Sequence, residues 1–273
     1  MDNKIKVMVN GLPGKMASEV AMAVEKAEDM ALVRYSLTGA GMPPYLPLEN
    51  PLRWTEMKLI GPHEREILGE GPDFISVDYT QPDAVNSNAD FYCRHKLPFI
   101  MGTTGGDRKT LEQRVKDSQI CAVIAPNMAK PIVAFQAMMK YAAENFPDCF
   151  KGYSLEIVES HQKGKKDTSG TAKAMVQYFN SMGIPFTENQ INMIRDSEKQ
   201  KEIGVPAEYL GGHGWHTYTL KSDDGNVLFR FTHNVNGRSV YANGTLDAIR
   251  FLDKKVKAGE KEKVYSMIDV LKG

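Results

Sequence analysis

Between residues 155 and 174 the chain reads LEIVESHQKGKKDTSGTAKA. Leu155, Ile157 and Val158 suit a strand, because short β-branched runs favour extended backbone. From Glu159 to Thr171 no apolar side chain follows. His161 is the group in that stretch whose ordinary pKa lies near neutrality, so it suits proton transfer. Lys165, four residues on, offers an ammonium that can hold an anion or donate a proton. Ser169-Gly170-Thr171 offers hydroxyls and backbone amides where a helix begins, and such amides receive a carboxylate. Thr168 or Ser169 would also cap that helix. Each feature alone has a plain structural explanation: a core histidine, a helix cap, a solvated basic loop. Proton donor, cation and anion cradle together in one loop form a more specific pattern. Lys163 and Lys166 take no role in it.

Two kinds of element must position this loop. In the first half, apolar strands alternate with helical stretches. Ile5 to Val9 is a strand, and Lys15 to Glu28 has the spacing of a helix. Strands are expected at Leu32 to Leu37, Phe74 to Asp78, Pro98 to Met101 and Ile120 to Ala125. Helices are expected from near Pro82 and over Asp107 to Asp117. This alternation is the pattern of an α/β, Rossmann-like, doubly wound parallel sheet. Gly39 to Pro51, with Pro43, Pro44, Pro47 and Pro51, reads as a long surface loop.

Three strand ends are rich in Gly, Thr and Asn: Gly11 to Gly14, Gly102 to Gly106, and Pro126-Asn127. Glycine lets backbone amides approach a phosphate, and a helix N-terminus adds partial positive charge. The first loop is a degenerate dinucleotide fingerprint. The second strand ends Tyr35-Ser36-Leu37-Thr38-Gly39, without the carboxylate that commonly binds ribose hydroxyls. Ser36 and Thr38 would donate to a 2′-phosphate, with charge from Lys15 or Arg34. The reading therefore favours NADPH over NADH, while Ser36 and Thr38 also fit as plain strand residues.

From about Pro131 the pattern changes. A Met-rich helix, Ile132 to Asn145, precedes the strand described above, and a helix runs from Thr171 to about Met182. Thr217 to Lys221 and Val227 to His233 alternate like antiparallel strands joined at Asp224-Gly225. Gly244 to Val256 is helical, and Lys261 to Leu271 reads as another helix. The expected organisation is a dinucleotide-binding domain over 1–130, joined by C-terminal residues 242–273. A second α+β domain with a mixed sheet, 131–241, would bind substrate and form the oligomer.

Lys+Arg and Asp+Glu both count 34, which gives no bulk attraction to nucleic acid. No apolar run reaches the roughly 20 residues of a membrane span. A strand-like segment at Ile5 leaves no room for a leader peptide. Cys93, Cys121 and Cys149 lack metal-ligand spacing and read as free thiols of an intracellular protein. The expectation is a cytoplasmic protein, or a plastid stromal one after removal of a transit peptide. No metal, nucleic-acid or membrane partner is expected.

The segment ESHQKGKKDTSGTA resembles the signature of the dihydrodipicolinate reductase (4-hydroxy-tetrahydrodipicolinate reductase) family. VNGLPGKM, MGTTG, APN and GRSVYANGTLDAI follow the same family in order, so the resemblance spans nearly the whole chain. It implies a reductase of lysine biosynthesis that uses NADPH or NADH on a small dicarboxylate, assembled as a homotetramer. His161 matches the proton donor and Lys165 the catalytic lysine. Gln162, Ser169, Gly170, Thr171 and Thr104 match substrate positions. Gly11, Leu12, Pro13, Gly14, Lys15, Met16, Gly102, Thr103, Thr104, Ala125, Pro126, Asn127 and Met128 match cofactor contacts, with Thr38 added from the strand-end reading. Two departures stand out. Gln162 replaces the second histidine of the bacterial pattern, and Thr168 replaces an Ala-Pro pair. Both resemble the plant-type branch. A non-catalytic paralogue, and a reductase acting on a different imine, are the alternative expectations.

Overall fold

Hydrophobic periodicity is realised first in the nucleotide half. The computed structural model describes residues 4–39, 42, 45–46, 52–56, 67–69 and 73–273. The chain divides into two units, Met1–Lys130 with Ser239–Gly273, and Pro131–Arg238.

The first unit opens with β1 (Ile5–Asn10), α1 (Lys15–Lys26) and β2 (Met30–Leu32). Then come β3 (Tyr35–Thr38), β4 (Tyr45–Leu46) and β5 (Leu52–Glu56), followed by β6 (Ile75–Asp78), α2 (Val85–Arg94), β7 (Phe99–Met101), α3 (Arg108–Lys116) and β8 (Cys121–Ile124). The second unit carries α4 (Lys130–Asn145), β9 (Tyr153–His161), α5 (Gly170–Ser181), β10 (Asn192–Ile194), α6 (Ser197–Glu202), β11 (His213–Ser222) and β12 (Leu228–Asn236). The chain then returns to the first unit as α7 (Ser239–Lys257), β13 (Lys263–Tyr265) and α8 (Met267–Lys272).

Six strands of the first unit form one parallel sheet in the order β13-β8-β7-β6-β1-β2. Strands β6, β7 and β8 are buried along their whole length, as in a parallel sheet covered on both faces. Phe99, Met101, Leu111, Val115 and Tyr92 pack in its core. Strand order runs from β1 to β2 in one direction and from β6 to β13 in the other. The direction reverses between β1 and β6, and ligands of such sheets bind at that switch point, beyond the strands' carboxyl ends.

Two expectations about elements are corrected. Leu32 to Leu37 is not one strand. The Val33 amide makes a last bond to the Val7 carbonyl at 2.7 Å, and the chain bends at Arg34, which pairs with Glu25 at 3.1 Å. Tyr35–Thr38 then joins a separate three-stranded sheet, β3-β5-β4. The final stretch is likewise not a single helix. Lys263–Tyr265 adds to the edge of the main sheet at β8, and a Ser266 capping box starts α8 only after that. Sheet pairing takes precedence here because β8 would otherwise expose an open edge. Of the proline-rich stretch, Pro43, Pro44, Pro47 and Pro51 lie outside the described residues, and Tyr45–Leu46 is a two-residue strand.

The second unit has a four-stranded mixed sheet, β10-β9-β11-β12, with β10 and β9 parallel and the other pairs antiparallel. Period-2 alternation sorts its side chains into two faces. Ile157, Tyr218 and Leu220 share a core with Ala172, Met175 and Phe179 of α5 and with Met139 of α4. On the other face Glu156, Val158, Ser160, Trp215, Thr217 and Arg230 line an open concavity of about 410 Å³.

Candidate active site

In the first unit the three candidate cofactor loops, two of them glycine-bearing, follow β1, β7 and β8, at the carboxyl ends of strands in one sheet. The first two are tied to each other by a buried network centred on Asp78, the last residue of β6. The Asp78 side chain is fully buried. Its Oδ1 accepts from the Thr80 amide (3.1 Å), the Thr80 hydroxyl (2.7 Å) and the Thr103 hydroxyl (2.8 Å). Its Oδ2 accepts from Asn88 Nδ2 (3.0 Å) and the Tyr92 hydroxyl (2.7 Å). Tyr92 accepts in turn from Asn10 Nδ2 at 2.9 Å, and Asn10 Oδ1 accepts from the Leu37 amide at 2.9 Å. The amides of Gly102 and Thr103 bond the Asp78 carbonyl at 3.0 and 3.1 Å. Burial and the neighbouring Asp78 charge push the Tyr92 phenol well above its ordinary value, so it stays a donor.

Glycine is required at two of these corners. Gly11 has φ of +100°, and a Cβ there would collide with the Tyr79 carbonyl oxygen. A Cβ on Gly102 would enter the Tyr79 ring, which is itself fixed by a 2.6 Å hydrogen bond to Thr245 of α7. Gly14 caps α1 without a side-chain bond, and the first turn of α1 has no acidic residue. Its leading amides at Lys15 and Met16 therefore face the loop with partial positive charge suited to a phosphate. Leu12 is buried and Pro13 exposed. Thr104 is exposed, whereas Thr103 is buried with its hydroxyl on Asp78. After β8, Ala125 and Met128 are buried, and Asn127 Oδ1 accepts from the Ala129 amide at 2.9 Å.

The reading of the second strand end changes. Ser36 and Thr38 are buried, and their hydroxyls donate to the carbonyls of Leu37 and Leu12. Strand pairing and burial have turned both hydroxyls toward backbone. Arg34 is engaged by Glu25. Lys15 is exposed at the start of α1.

In the second unit, β9 ends at His161 and α5 begins at Gly170, so residues 162–169 bridge strand and helix. Ser169 caps α5 by accepting from the Thr171 amide at 3.2 Å. Gly170 is exposed and Thr171 half-buried. Lys165 Nζ lies 2.9 Å from Asp167, with most of its side chain covered. Lys163 and Lys166 are exposed. Gln162 is half-buried.

The sheet register surrounds His161 with groups that local sequence does not bring near it. Glu159 pairs with His216, His161 with Gly214, and His216 with His233 across the strands. The His161 and His216 rings lie 5.1 Å apart, and His216 stacks on His233 at 4.7 Å. His161 Nδ1 lies 3.0 Å from the His213 carbonyl, so Nδ1 carries the hydrogen and donates it. The Nε2 atom is buried and, among the described residues, has no hydrogen-bond partner. Burial, with the neighbouring His216, lowers the His161 pKa to about 4. This corrects the simplest sequence argument, because the ring is neutral at neutral pH in the ligand-free protein.

Glu159 is fully buried. Burial alone would raise its pKa, but His216, Arg195 and the Ser169 amide hold it down at about 2. His216 Nε2 stands 3.7 Å from Glu159 Oε2, and the Ser169 amide donates to that oxygen at 3.0 Å. Among the described residues, Glu159, His161 and His216 each bring a possible metal-ligand atom within 4.8 Å of the others. Arg195 already neutralises this carboxylate, so the cluster is balanced by a fixed cation of the chain. The sequence reading missed Arg195, His213, His216 and His233, although the HGWH and THN stretches set histidines at or beside the expected antiparallel strands.

The buried imidazoles predict an acid-sensitive second unit. The folded pKa values of His161 and His233 are both depressed, from 6.5 to about 4, by burial first. Their stabilising contribution is full above the unfolded value and is lost as pH falls toward the folded one. Glu159 adds a further loss between its ordinary 4.5 and about 2. Thermal unfolding of the second unit should therefore shift to lower temperature as pH drops from 6.5 to 4. A midpoint that stays level over that range would contradict the burial of these rings.

A Rossmann-type nucleotide unit, and a mixed-sheet unit holding an imidazole, an ammonium and a helix N-terminus in one loop, together define the class: a two-unit nicotinamide-dependent oxidoreductase. Residues 5–128 match the family profile "Dihydrodipicolinate reductase, N-terminus", and residues 131–271 match "Dihydrodipicolinate reductase, C-terminus". The chain belongs to the dihydrodipicolinate reductase family. It is 46% identical over 274 residues to "Probable 4-hydroxy-tetrahydrodipicolinate reductase 2, chloroplastic" of Oryza sativa subsp. japonica, covering 97% of this chain and 82% of that one. It is 45% identical over 280 residues to "4-hydroxy-tetrahydrodipicolinate reductase 1, chloroplastic" of Arabidopsis thaliana, covering 99% and 78%. A solved dihydrodipicolinate reductase from Paenisporosarcina sp. TG-14, described as dipicolinate-bound, shares the fold. Its TM-score is 0.69 at 21% identity, covering 97% of this chain and 99% of that one.

Proposed function

We infer that this chain reduces the dehydrated form of 4-hydroxy-tetrahydrodipicolinate to tetrahydrodipicolinate with NAD(P)H, in the diaminopimelate route of lysine biosynthesis. The observation that carries this reading is the single loop that joins His161, Lys165 and the α5 N-terminus, in a chain of this family.

The nicotinamide supplies a hydride when bound. The loops at Gly11–Met16, Gly102–Thr104 and Ala125–Met128 would hold the dinucleotide, with its pyrophosphate on the α1 amides. On the second unit, the Gly170 amide and the hydroxyls of Ser169 and Thr171 would take one substrate carboxylate, and Lys165 would leave Asp167 to hold the anion. Gln162 would add a neutral hydrogen bond. Hydride arrival leaves negative charge on the substrate, and a proton on His161 Nε2 would neutralise it. The depressed pKa of His161 fits this role once a dicarboxylate has arrived, because two negative charges nearby favour the imidazolium.

NADPH is the preferred donor in this reading. Support comes from the missing carboxylate after β3 and from exposed Lys15 at the α1 N-terminus, the cation left for a 2′-phosphate. The uncovered face of the mixed sheet supports the expected homotetramer. The chloroplastic names of the two relatives support a plastid stromal location. Among the described residues no helix is long and apolar enough to cross a membrane.

The test is loss of nicotinamide absorbance with substrate generated in place by the preceding synthase. Turnover with a lower KM for NADPH than for NADH is expected. No turnover with either cofactor would overturn the assignment and favour a non-catalytic paralogue.

A further inference from the structure

The loop that bears the reacting groups is gripped by a residue that follows it by some thirty positions. Arg195 stands immediately after β10, which pairs in parallel with the end of β9. Its side chain is 17% exposed. A guanidinium carries five N–H donors in a rigid plane. All five find acceptors here. Nε donates to the Lys165 carbonyl at 2.8 Å. Nη1 donates to the carbonyls of Ile194 and Glu159, at 3.2 and 3.5 Å. Nη2 donates to Glu159 Oε1 and to the Asp167 carbonyl, the latter at 3.3 Å. The other carboxylate oxygen of Glu159 holds the Ser169 amide at 3.0 Å.

We propose that Arg195, acting with Glu159, is the positioning residue of the active-site loop, setting Lys165 at a fixed distance from the N-terminus of α5. This rests on the function proposed above, in which those two places receive the substrate's anionic groups. The acceptors argue for it. The carbonyls of Lys165 and Asp167 flank the loop's middle, and Ser169 marks its end. One Arg–Glu pair therefore holds both points in register. Gln200 of α6 donates to the His161 carbonyl at 2.7 Å and fixes the loop's start. Segment 192–200 thus supplies a grip at every stage of the loop. None of these groups has to touch substrate. Lysine could not replace Arg195, since an ammonium has three donors and no planar fork.

The experiment compares wild type with Arg195→Lys and Arg195→Ala. It follows amide hydrogen exchange over residues 163–169 in the ligand-free protein, then steady-state kinetics and binding of pyridine-2,6-dicarboxylate. Arg195→Lys keeps a cation against Glu159, so it is the variant expected to fold. It should exchange faster across 163–169, bind the dicarboxylate more weakly and lose about 10- to 100-fold in kcat/KM. Guanidinium added below denaturing concentration should restore part of the activity of Arg195→Ala, and methylammonium should not. Unchanged exchange in the loop, or a lowered melting temperature with wild-type kcat/KM, would overturn the proposal. Wild type that fails to turn over the substrate would overturn the functional reading, and the exchange experiment would still decide the role of Arg195.

Discussion

Replacing His161 with glutamine is expected to lower kcat by about 10²- to 10⁴-fold, the usual contribution of a positioned general acid. The fold should survive. The Nδ1–H of His161 serves the His213 carbonyl at 3.0 Å, and a glutamine amide can make the same kind of bond. What glutamine lacks is the titratable Nε2, the buried atom with no described partner. The pH dependence gives a sharper test. In the free enzyme, burial and His216 hold the His161 pKa at about 4. A bound dicarboxylate adds negative charge and raises it. The profile of kcat/KM reports the free enzyme, and that of kcat reports the substrate complex. The limb assigned to His161 should therefore lie at higher pH in the kcat profile. Stopped-flow and steady-state rates of the variant across pH decide the matter. Activity within a few-fold of wild type would remove His161 from the chemistry.

The second large effect belongs to Asp78. Substitution by alanine is expected to cost about 3 kcal/mol or more, because buried donors lose an ionised acceptor. That is a large share of a marginal stability of about 5–15 kcal/mol. Asp78→Asn is the more informative variant. An amide nitrogen in the Oδ1 position would face the Thr80 amide, which cannot turn away. In the Oδ2 position it would face the Asn88 amide and the Tyr92 hydroxyl, and Tyr92 already accepts from Asn10. Either orientation sets donor against donor. The same network holds Thr103 and, through Tyr92, Asn10, so both glycine loops should loosen together. Urea unfolding should show reduced stability, and nicotinamide fluorescence should show weaker cofactor binding. Lowered stability with wild-type cofactor affinity would confine Asp78 to a scaffolding role.

Much of the candidate site was legible because the proposed chemistry is local. The loop from His161 to Thr171 lies between one strand and one helix, so spacing alone placed imidazole, ammonium and helix N-terminus together. Glycine loops after apolar strands were legible for the same reason: a parallel sheet sends all such ends to one edge. Failures came where pairing overrode local preference. Leu32 to Leu37 looks like one β run, but two different sheets compete for it. Ser36 and Thr38 looked free to bind a phosphate, and the fold turned them onto backbone carbonyls.

The family, the alternation of strand and helix, and the polar content of the loop are legible in the linear chain. These depend on residue order and short spacings. The protonation and shape of that loop come from tertiary contacts. His161 is neutral because burial removes water from it and the sheet sets His216 beside it. The loop keeps its shape because a parallel pairing of β10 with β9 brings Arg195 against Glu159. Strand register is a non-local choice, made by whole hydrophobic faces finding their cover, and a one-residue slip would turn every one of these groups to the opposite side of the sheet.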